Sequence, residues 1–199
     1  LLSDSTAQVS GHTEEISGVS EMPSSVNLQA STNSCTHKVA IISIQTSAFR
    51  ETASITGVKL NEGLQTIGAS AFYNCTNLGG EINIPSTVTQ IGNYAFYVCG
   101  AITKIVFNEG DANLSIGLSA FNTPTANNSI GDLVLPSHIN YIGRNAFINQ
   151  NFPSVTVEAT TPPELGFDEL KGAKSCGVFS GSACTINLPC GTYFTYTQD

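Results

Sequence analysis

Charge is scarce in this chain. Of 199 residues only 11% are Asp, Glu, Lys or Arg, the net charge is −8, and seven basic residues are all it has. Seven scattered cations cannot form a phosphate-neutralising stripe, so nucleic acid and anionic membrane are poor partners and neither is expected. No apolar run approaches the ~18 residues of a membrane span. There is no tryptophan, the histidines are only His12, His37 and His138, and no pair of carboxylates recurs at matching positions. A catalytic centre needs a convergent set of titratable groups, so this composition argues against an enzyme. His138, in Pro136-Ser137-His138-Ile139, reads as a solvated turn residue, because Thr87 fills the matching place of Pro85-Ser86-Thr87-Val88. Gly79-Gly80 lacks the strand, helix and lysine context of a phosphate loop. Zinc needs four ligands at short spacing, and none are visible, so neither a metal nor a cofactor is expected.

What the chain does have is repetition. One six-residue pattern occurs five times: Ile44-Gln45-Thr46-Ser47-Ala48-Phe49, then the segments opening at Ile67, Ile91, Ile116 and Ile142 and closing on Phe72, Phe96, Phe121 and Phe147. The leading isoleucines step by 23, 24, 25 and 26 residues, inside the roughly 20 to 29 residues of a solenoid rung built from a strand and a short turn. Upstream of the later copies lie alternating apolar segments, Val58-Lys59-Leu60, Ile82-Asn83-Ile84, Ile105-Val106-Phe107 and Leu133-Val134-Leu135. That alternation predicts strands with one buried face. From the second inward residue to the motif isoleucine the distance is 7 in three rungs and 9 in the fourth, from Phe107 to Ile116. The two extra residues are predicted to bulge outward at Glu109-Gly110-Asp111, where two carboxylates without a third ligand are ordinary solvated charge.

The pattern has a physical reading. The isoleucine points inward, and Gly68, Gly92, Gly117 and Gly143 serve a turn that needs either positive φ or close backbone approach. The alanine fits a tight inward corner, and each phenylalanine fills the interior, worth about 1.5 to 3 kcal/mol by area transfer. Two further strands, Val155-Thr156-Val157 and Ile186-Asn187-Leu188, follow without a clean motif and read as a modified rung and a C-terminal closure.

The rung from Leu78 to Cys99, with Ile82, Ile84-Pro85, Val88, Ile91-Gly92, Ala95-Phe96 and Cys99, resembles the BspA-like, treponemal-type leucine-rich repeats of bacterial surface proteins. The likeness covers about residues 44 to 190. The ending Thr185-Ile186-Asn187-Leu188-Pro189-Cys190-Gly191-Thr192-Tyr193 is similar to the terminal strand and turn of many members, with Cys190 where a small residue is more usual. The resemblance implies a strand-dominated α/β leucine-rich-repeat solenoid, a right-handed superhelix of rungs of about 23–26 residues with short helical or 3₁₀ turns. It also implies export to the cell surface and, as for several members, adhesion to host matrix proteins or other cells. The chain opens on Leu1 with no basic and apolar leader, and reads as a mature fragment, secreted or surface-displayed, whose export signal has been removed.

Residues 1–38 are expected to form an N-terminal cap or degenerate first rung, since Met22-Pro23-Ser24-Ser25-Val26 aligns with Ile84-Pro85-Ser86-Thr87-Val88. Residues 39–190 form the solenoid with an irregular last rung, and 191–199 a tail. Cys75 and Cys99 occupy equivalent places on successive rungs, about 4.8 Å apart in a parallel stack; they read as a ladder of small buried hydrophobes, bridged only if the side chains turn toward each other. Among Cys176, Cys184 and Cys190 one disulfide would staple the solenoid end.

The outward residues of the long strands are the candidate ligand-binding set: Lys59, Asn83, Val106, Val134 and Thr156 in one row, Lys104 and Asp132 in the row before. Lys104 between Glu81 and Asp132 predicts a charge ladder of roughly 0.2 to 1 kcal/mol per contact. Val106 and Val134 make a small apolar centre rimmed by polar groups, the anatomy of a protein-binding patch in miniature. Taken with the adhesive role that the resemblance implies, the expectation is a non-enzymatic surface adhesin for a protein or glycan on host or neighbouring cells. Its rival is a structural spacer in a larger surface protein.

Overall fold

The computed structural model describes residues 6–9, 18–21, 25–29, 36–124, 130–166 and 185–187, with side chains over 41–124 and 130–166 and at Asn187. In chain order the strands are β1 (Thr6–Val9), β2 (Gly18–Glu21), β3 (Ser25–Gln29), β4 (Thr36–Ile44), β5 (Ile55–Lys59), β6 (Thr66–Ile67) and β7 (Gly79–Ile84). There follow β8 (Gln90–Ile91), β9 (Ala101–Phe107), β10 (Leu114–Ile116), β11 (Leu133–Leu135), β12 (Ile139–Ile142), β13 (Ser154–Val157), β14 (Glu164–Leu165) and β15 (Thr185–Asn187). They wind into a strand-dominated solenoid of about 5 turns.

Two strand columns run along it. The motif isoleucines sit on the short column, where β1, β4, β6, β8, β10, β12 and β14 pair in that order, with Ile44 opposite Ile67, Ile67 opposite Ile91, Ile91 opposite Ile116 and Ile116 opposite Ile142. The long column holds β2 with β5, β7 with β9, and β11 with β13 and β15, all parallel. β5 lies beside β7, and β9 beside β11, without a continuous ladder. At the N-terminal end β3 runs antiparallel to β4, and β4 crosses the boundary expected at residue 38.

The expected helical turns are absent: among the described residues there is no helix. The reason lies in where the backbone donors go. Ser47, Phe49 and Glu51 donate their N–H to the carbonyls of Ala69, Ala71 and Tyr73 on the next rung, at 2.9, 2.7 and 2.7 Å, while Ala48, Arg50 and Thr52 donate back to Gln45, Ser47 and Phe49. The same alternation recurs from Ser70 to Asn74 and from Tyr94 to Val98. A helix would bond every donor within its own turn, whereas here every second donor stitches one rung to the next. Two residues are left-handed in four of the corners as a result, Ser47 and Glu51, Ser70 and Asn74, Tyr94 and Val98, Asn145 and Asn149, with φ between 55° and 64°, and Ser119 alone in the fifth, at 51°. Each first member is the third residue of a turn, the place where type II turns need positive φ.

The motif glycines are settled by close approach. Gly68, Gly117 and Gly143 have no positive φ, but a Cβ on them would stand 2.5 Å from Thr46 N, 2.6 Å from Asn93 N and 2.5 Å from Leu118 N of the preceding rung. Each of those glycine N–H groups donates to the preceding rung's isoleucine carbonyl at 2.7–2.8 Å, and a side chain would push that bond apart. A sixth rung continues the column where no motif was legible, since Leu165 pairs with Ile142 and Gly166 N–H donates to the Ile142 carbonyl at 2.8 Å.

Inside, Phe49, Phe72, Phe96, Phe121 and Phe147 form one stack, with ring centroids 5.1–5.3 Å apart and planes within 11° of parallel. Phe152 closes against Phe147 edge-on at 6.0 Å. Cys75 and Cys99 are free, buried thiols. Their Sγ atoms donate to the carbonyls of Phe49 and Phe72 at 2.9 and 3.1 Å, so each thiol caps the phenylalanine of the rung before. Desolvation pushes the Cys75 thiol up to about 11 and Cys99 well above its ordinary value, which keeps both as unreactive thiols at neutral pH. Cys176, Cys184 and Cys190 lie outside the described residues.

Candidate functional site

The long column places the predicted binding residues on one outward face. Its register sets Asn83 opposite Val106 and Glu81 opposite Lys104 across β7 and β9, and Val134 opposite Thr156 and Thr156 opposite Asn187 across β11, β13 and β15. Lys59 stands opposite Glu21 at the first pair. Val134 is 42% exposed and Val106 is half-buried, while Lys59, Asn83, Lys104 and Asp132 are exposed. Val106 and Val134 sit on neighbouring strands that are not in ladder register; beside them a backbone bond runs from Gly131 N–H to the Thr103 carbonyl at 3.0 Å.

Most polar groups on this face already serve one another. Lys104 Nζ lies 3.0 Å from Glu81 Oε2, and Asn83 Nδ2 donates to Glu81 Oε1 at 2.9 Å. Lys104 first, then Asn83, hold the Glu81 carboxyl below its ordinary range. Asp132, drawn in the sequence as the second arm of the Lys104 ladder, instead accepts from Ser154 Oγ at 2.7 Å, and Asn187 Nδ2 donates to Thr156 Oγ1 at 3.3 Å. The face can offer an apolar spot and hydrogen bonds; among the described residues it sets no nucleophile beside a base.

A second polar column, not found from sequence, runs along the corner between long and short strands. The Glu62 carboxylate accepts from Ser86 N–H and Oγ at 3.1 and 2.9 Å, and Glu109 accepts from Ser137 N–H and Oγ at 3.0 and 2.6 Å. The signal was available: Asn61-Glu62-Gly63 and Asn108-Glu109-Gly110 are each followed one rung later by Pro-Ser. Desolvation pushes the Glu62 and Glu109 carboxyls up, but hydrogen bonds from Ser86, Asn108 and Thr87 to the first, and from Ser137, Glu158 and His138 to the second, together hold both below their usual range. Glu158 goes the other way, because it shares a hydrogen bond with Glu109 and is repelled by it.

His138 belongs to this corner and is not the solvated turn residue expected. Its side chain is 7% exposed, its Nδ1 accepts from Gly110 N–H at 3.2 Å and lies 3.5 Å from Glu109 Oε2, and its Nε2 is buried without a partner among the described residues. Thr87 does the same job one repeat pair earlier, accepting from Gly63 N–H at 3.0 Å. The matching to Thr87 was sound; burial follows from the bulge that lays Gly110 across the imidazole. Among the described residues no three His, Cys, Asp or Glu side chains gather as a metal-ligand set.

The model of the BspA type leucine rich repeat region matches residues 30–163, in 6 copies. No curated protein matches the chain. Among solved structures the chain is similar to a leucine rich cell surface protein from Faecalibacterium prausnitzii A2-165, at 17% identity and a TM-score of 0.48. That likeness covers 82% of this chain and 53% of the other, so this chain spans about half the length of that protein.

Proposed function

The chain belongs to the BspA-type leucine-rich repeat family, and from that premise we propose that it is a non-enzymatic binding module, secreted or displayed at the cell surface, that acts as an adhesin for a protein or glycan of a host or neighbouring cell. The ligand docks on the outward face of the long strands. Stacked rungs make an extended, regular surface suited to binding rather than to chemistry. The observation that carries the reading is Val134, 42% exposed at the middle of that face with Val106 on the neighbouring strand and a rim of Asn83, Lys104, Asp132 and Thr156. Among the described residues no helix is long and apolar enough to cross a membrane.

The polar pairs of the face support a second reading, a spacer within a larger surface protein. Glu81, Lys104, Asn83, Asp132 and Ser154 satisfy one another, as they would if their task were register and solubility alone. The experiment that separates the two is binding of the folded chain to immobilised matrix proteins and surface glycans, repeated with the Val106→Glu/Val134→Glu double variant. Saturable binding lost in a folded double variant supports the adhesin. Binding that survives in that variant removes the sheet face, and no binding across the panel leaves the spacer.

A further inference from the structure

The rung opened by β9 is the one whose corner is two residues longer. The excess stands out at residues 109–113 as a ledge, and against it lies an open groove of about 600 Å³, within the roughly 300 to 1,000 Å³ of small-molecule clefts. The ledge is pinned on three sides. Glu109 takes Ser137 N–H and Oγ, Gly110 N–H donates to His138 Nδ1, and Gly110 packs so closely on the Ser86 carbonyl that a Cβ there would overlap it. The groove is thus held open before any ligand arrives, which lowers the ordering cost of binding.

Its walls have a definite chemistry. Preceding rungs contribute Gln65, Thr87 and Thr89, and the ledge contributes Asp111 and Ala112. Thr87 Oγ1 is committed to the Leu64 carbonyl, and Thr89 Oγ1 to that of Gln65. The Gln65 side-chain amide and the Asp111 carboxylate have no partner among the described residues. An apolar ligand would strip water from both without replacing its hydrogen bonds. An anion meets two carboxylates and no cation in the lining. A calcium ion needs six to eight oxygen ligands, yet both Glu109 oxygens are already taken by Ser137, which leaves Asp111 as the one uncommitted carboxylate of the lining. Hydroxyl groups suit what remains: they donate to Asp111 and exchange hydrogen bonds with Gln65, while the threonine methyls and Ala112 meet C–H faces.

We propose that this corner groove is a binding site for a neutral saccharide. The inference rests on the reading of the chain as a binding module but puts this ligand away from the sheet face. The test is titration of the isotope-labelled chain with lactose, maltose, cellobiose and N,N′-diacetylchitobiose in turn, followed by amide NMR shifts. At least one sugar should move the amides of Gln65, Gly110, Asp111 and Ala112 saturably. Asp111→Asn and Gln65→Ala, both at the surface, should each weaken it about tenfold with the rest of the spectrum unchanged, and Val106→Glu/Val134→Glu should leave it intact. The proposal is overturned if no sugar moves these amides, if Asp111→Asn binds as well as the parent, if the sheet-face variant abolishes sugar binding, or if calcium chloride alone produces the saturable shifts. Loss of protein binding in the sheet-face variant with sugar binding retained separates the two sites.

Discussion

Replacing Phe96 by alanine tests whether the phenylalanine stack is what couples the rungs. Phe96 is fully buried, with Phe72 on one face at 5.1 Å and 11° and Phe121 on the other at 5.1 Å and 5°. Truncating a buried phenylalanine costs roughly 3 to 5 kcal/mol, and each ring pair is worth about 0.5 to 1.5 kcal/mol beyond its area. Leucine separates the two contributions. It keeps most of the apolar volume and loses both ring pairs, so Phe96→Leu should cost about 1 to 3 kcal/mol against about 4 for Phe96→Ala. In a solenoid each rung contacts only its neighbours, so a gap in mid-stack should also weaken cooperativity and lower the denaturant slope, which scales with the surface exposed in the transition. Urea titration read by far-ultraviolet circular dichroism and by tyrosine emission measures both; the chain has six tyrosines and no tryptophan to mask them. The reasoning fails if Phe96→Ala costs under about 1.5 kcal/mol with an unchanged slope, or if leucine is as damaging as alanine.

Val98 is a β-branched residue held at φ 58°, in the corner place that Asn74 and Asn149 fill on other rungs. Asparagine tolerates that region and valine does not, so Val98→Asn should stabilise by about 0.5 to 1 kcal/mol in the same urea assay; a loss of stability would mean that packing of the valine outweighs its strain. The corner carboxylates predict an acid limb. Glu62 and Glu109 are held low when folded, so their contribution is present above the unfolded carboxylate range, about pH 4.3, and lost as pH falls through the folded values. Glu62→Gln should flatten that limb, and an unaltered pH profile of the urea midpoint would refute it. Glu158 is raised by Glu109, so its contribution is present below the unfolded range and lost as pH rises through its folded value. Glu158→Gln should therefore stabilise at neutral pH and bring no gain near pH 3, measured over the same series.

What was legible in the sequence is what repeats within one rung. The isoleucine, glycine and phenylalanine positions each have a local signature, and the structure puts them in two ladders and a stack. The helical turns were misjudged because the choice is not local: Ser47 and Phe49 send their N–H groups to Ala69 and Ala71, acceptors that exist only once the next rung is in place. Asn145 hints at left-handed backbone, but Ser47, Ser70, Tyr94 and Ser119 hold the same conformation and carry no such hint. The rung at Leu165 and Gly166 was missed because it lacks the alanine and phenylalanine, although its glycine makes the same bond as the others. The glutamate-to-serine staples were readable, yet only by comparing alternate rungs rather than neighbours.

The same regularity explains why a binding site is hard to read from this chain. A perfect solenoid presents the same groups at every step, about 4.8 Å apart, and a ligand of fixed size would find many equivalent registers and no preferred one. Specificity has to come from the rungs that break the pattern. Two rungs carry such breaks: the exposed Val134 in a row otherwise polar except for Val106, and the two-residue excess at Glu109-Gly110-Asp111. The first changes only a side chain, whereas the second reshapes the corner, buries His138 under Gly110 and opens a groove lined by the Gln65 and Asp111 side chains, which have no partner among the described residues. An insertion that only relieved length would not need Gly110 against the Ser86 carbonyl or Glu109 clamped on Ser137. The ledge is fastened to the neighbouring rungs through Glu109 and Gly110, and a fixed groove of that kind favours one ligand register where the regular sheet offers many.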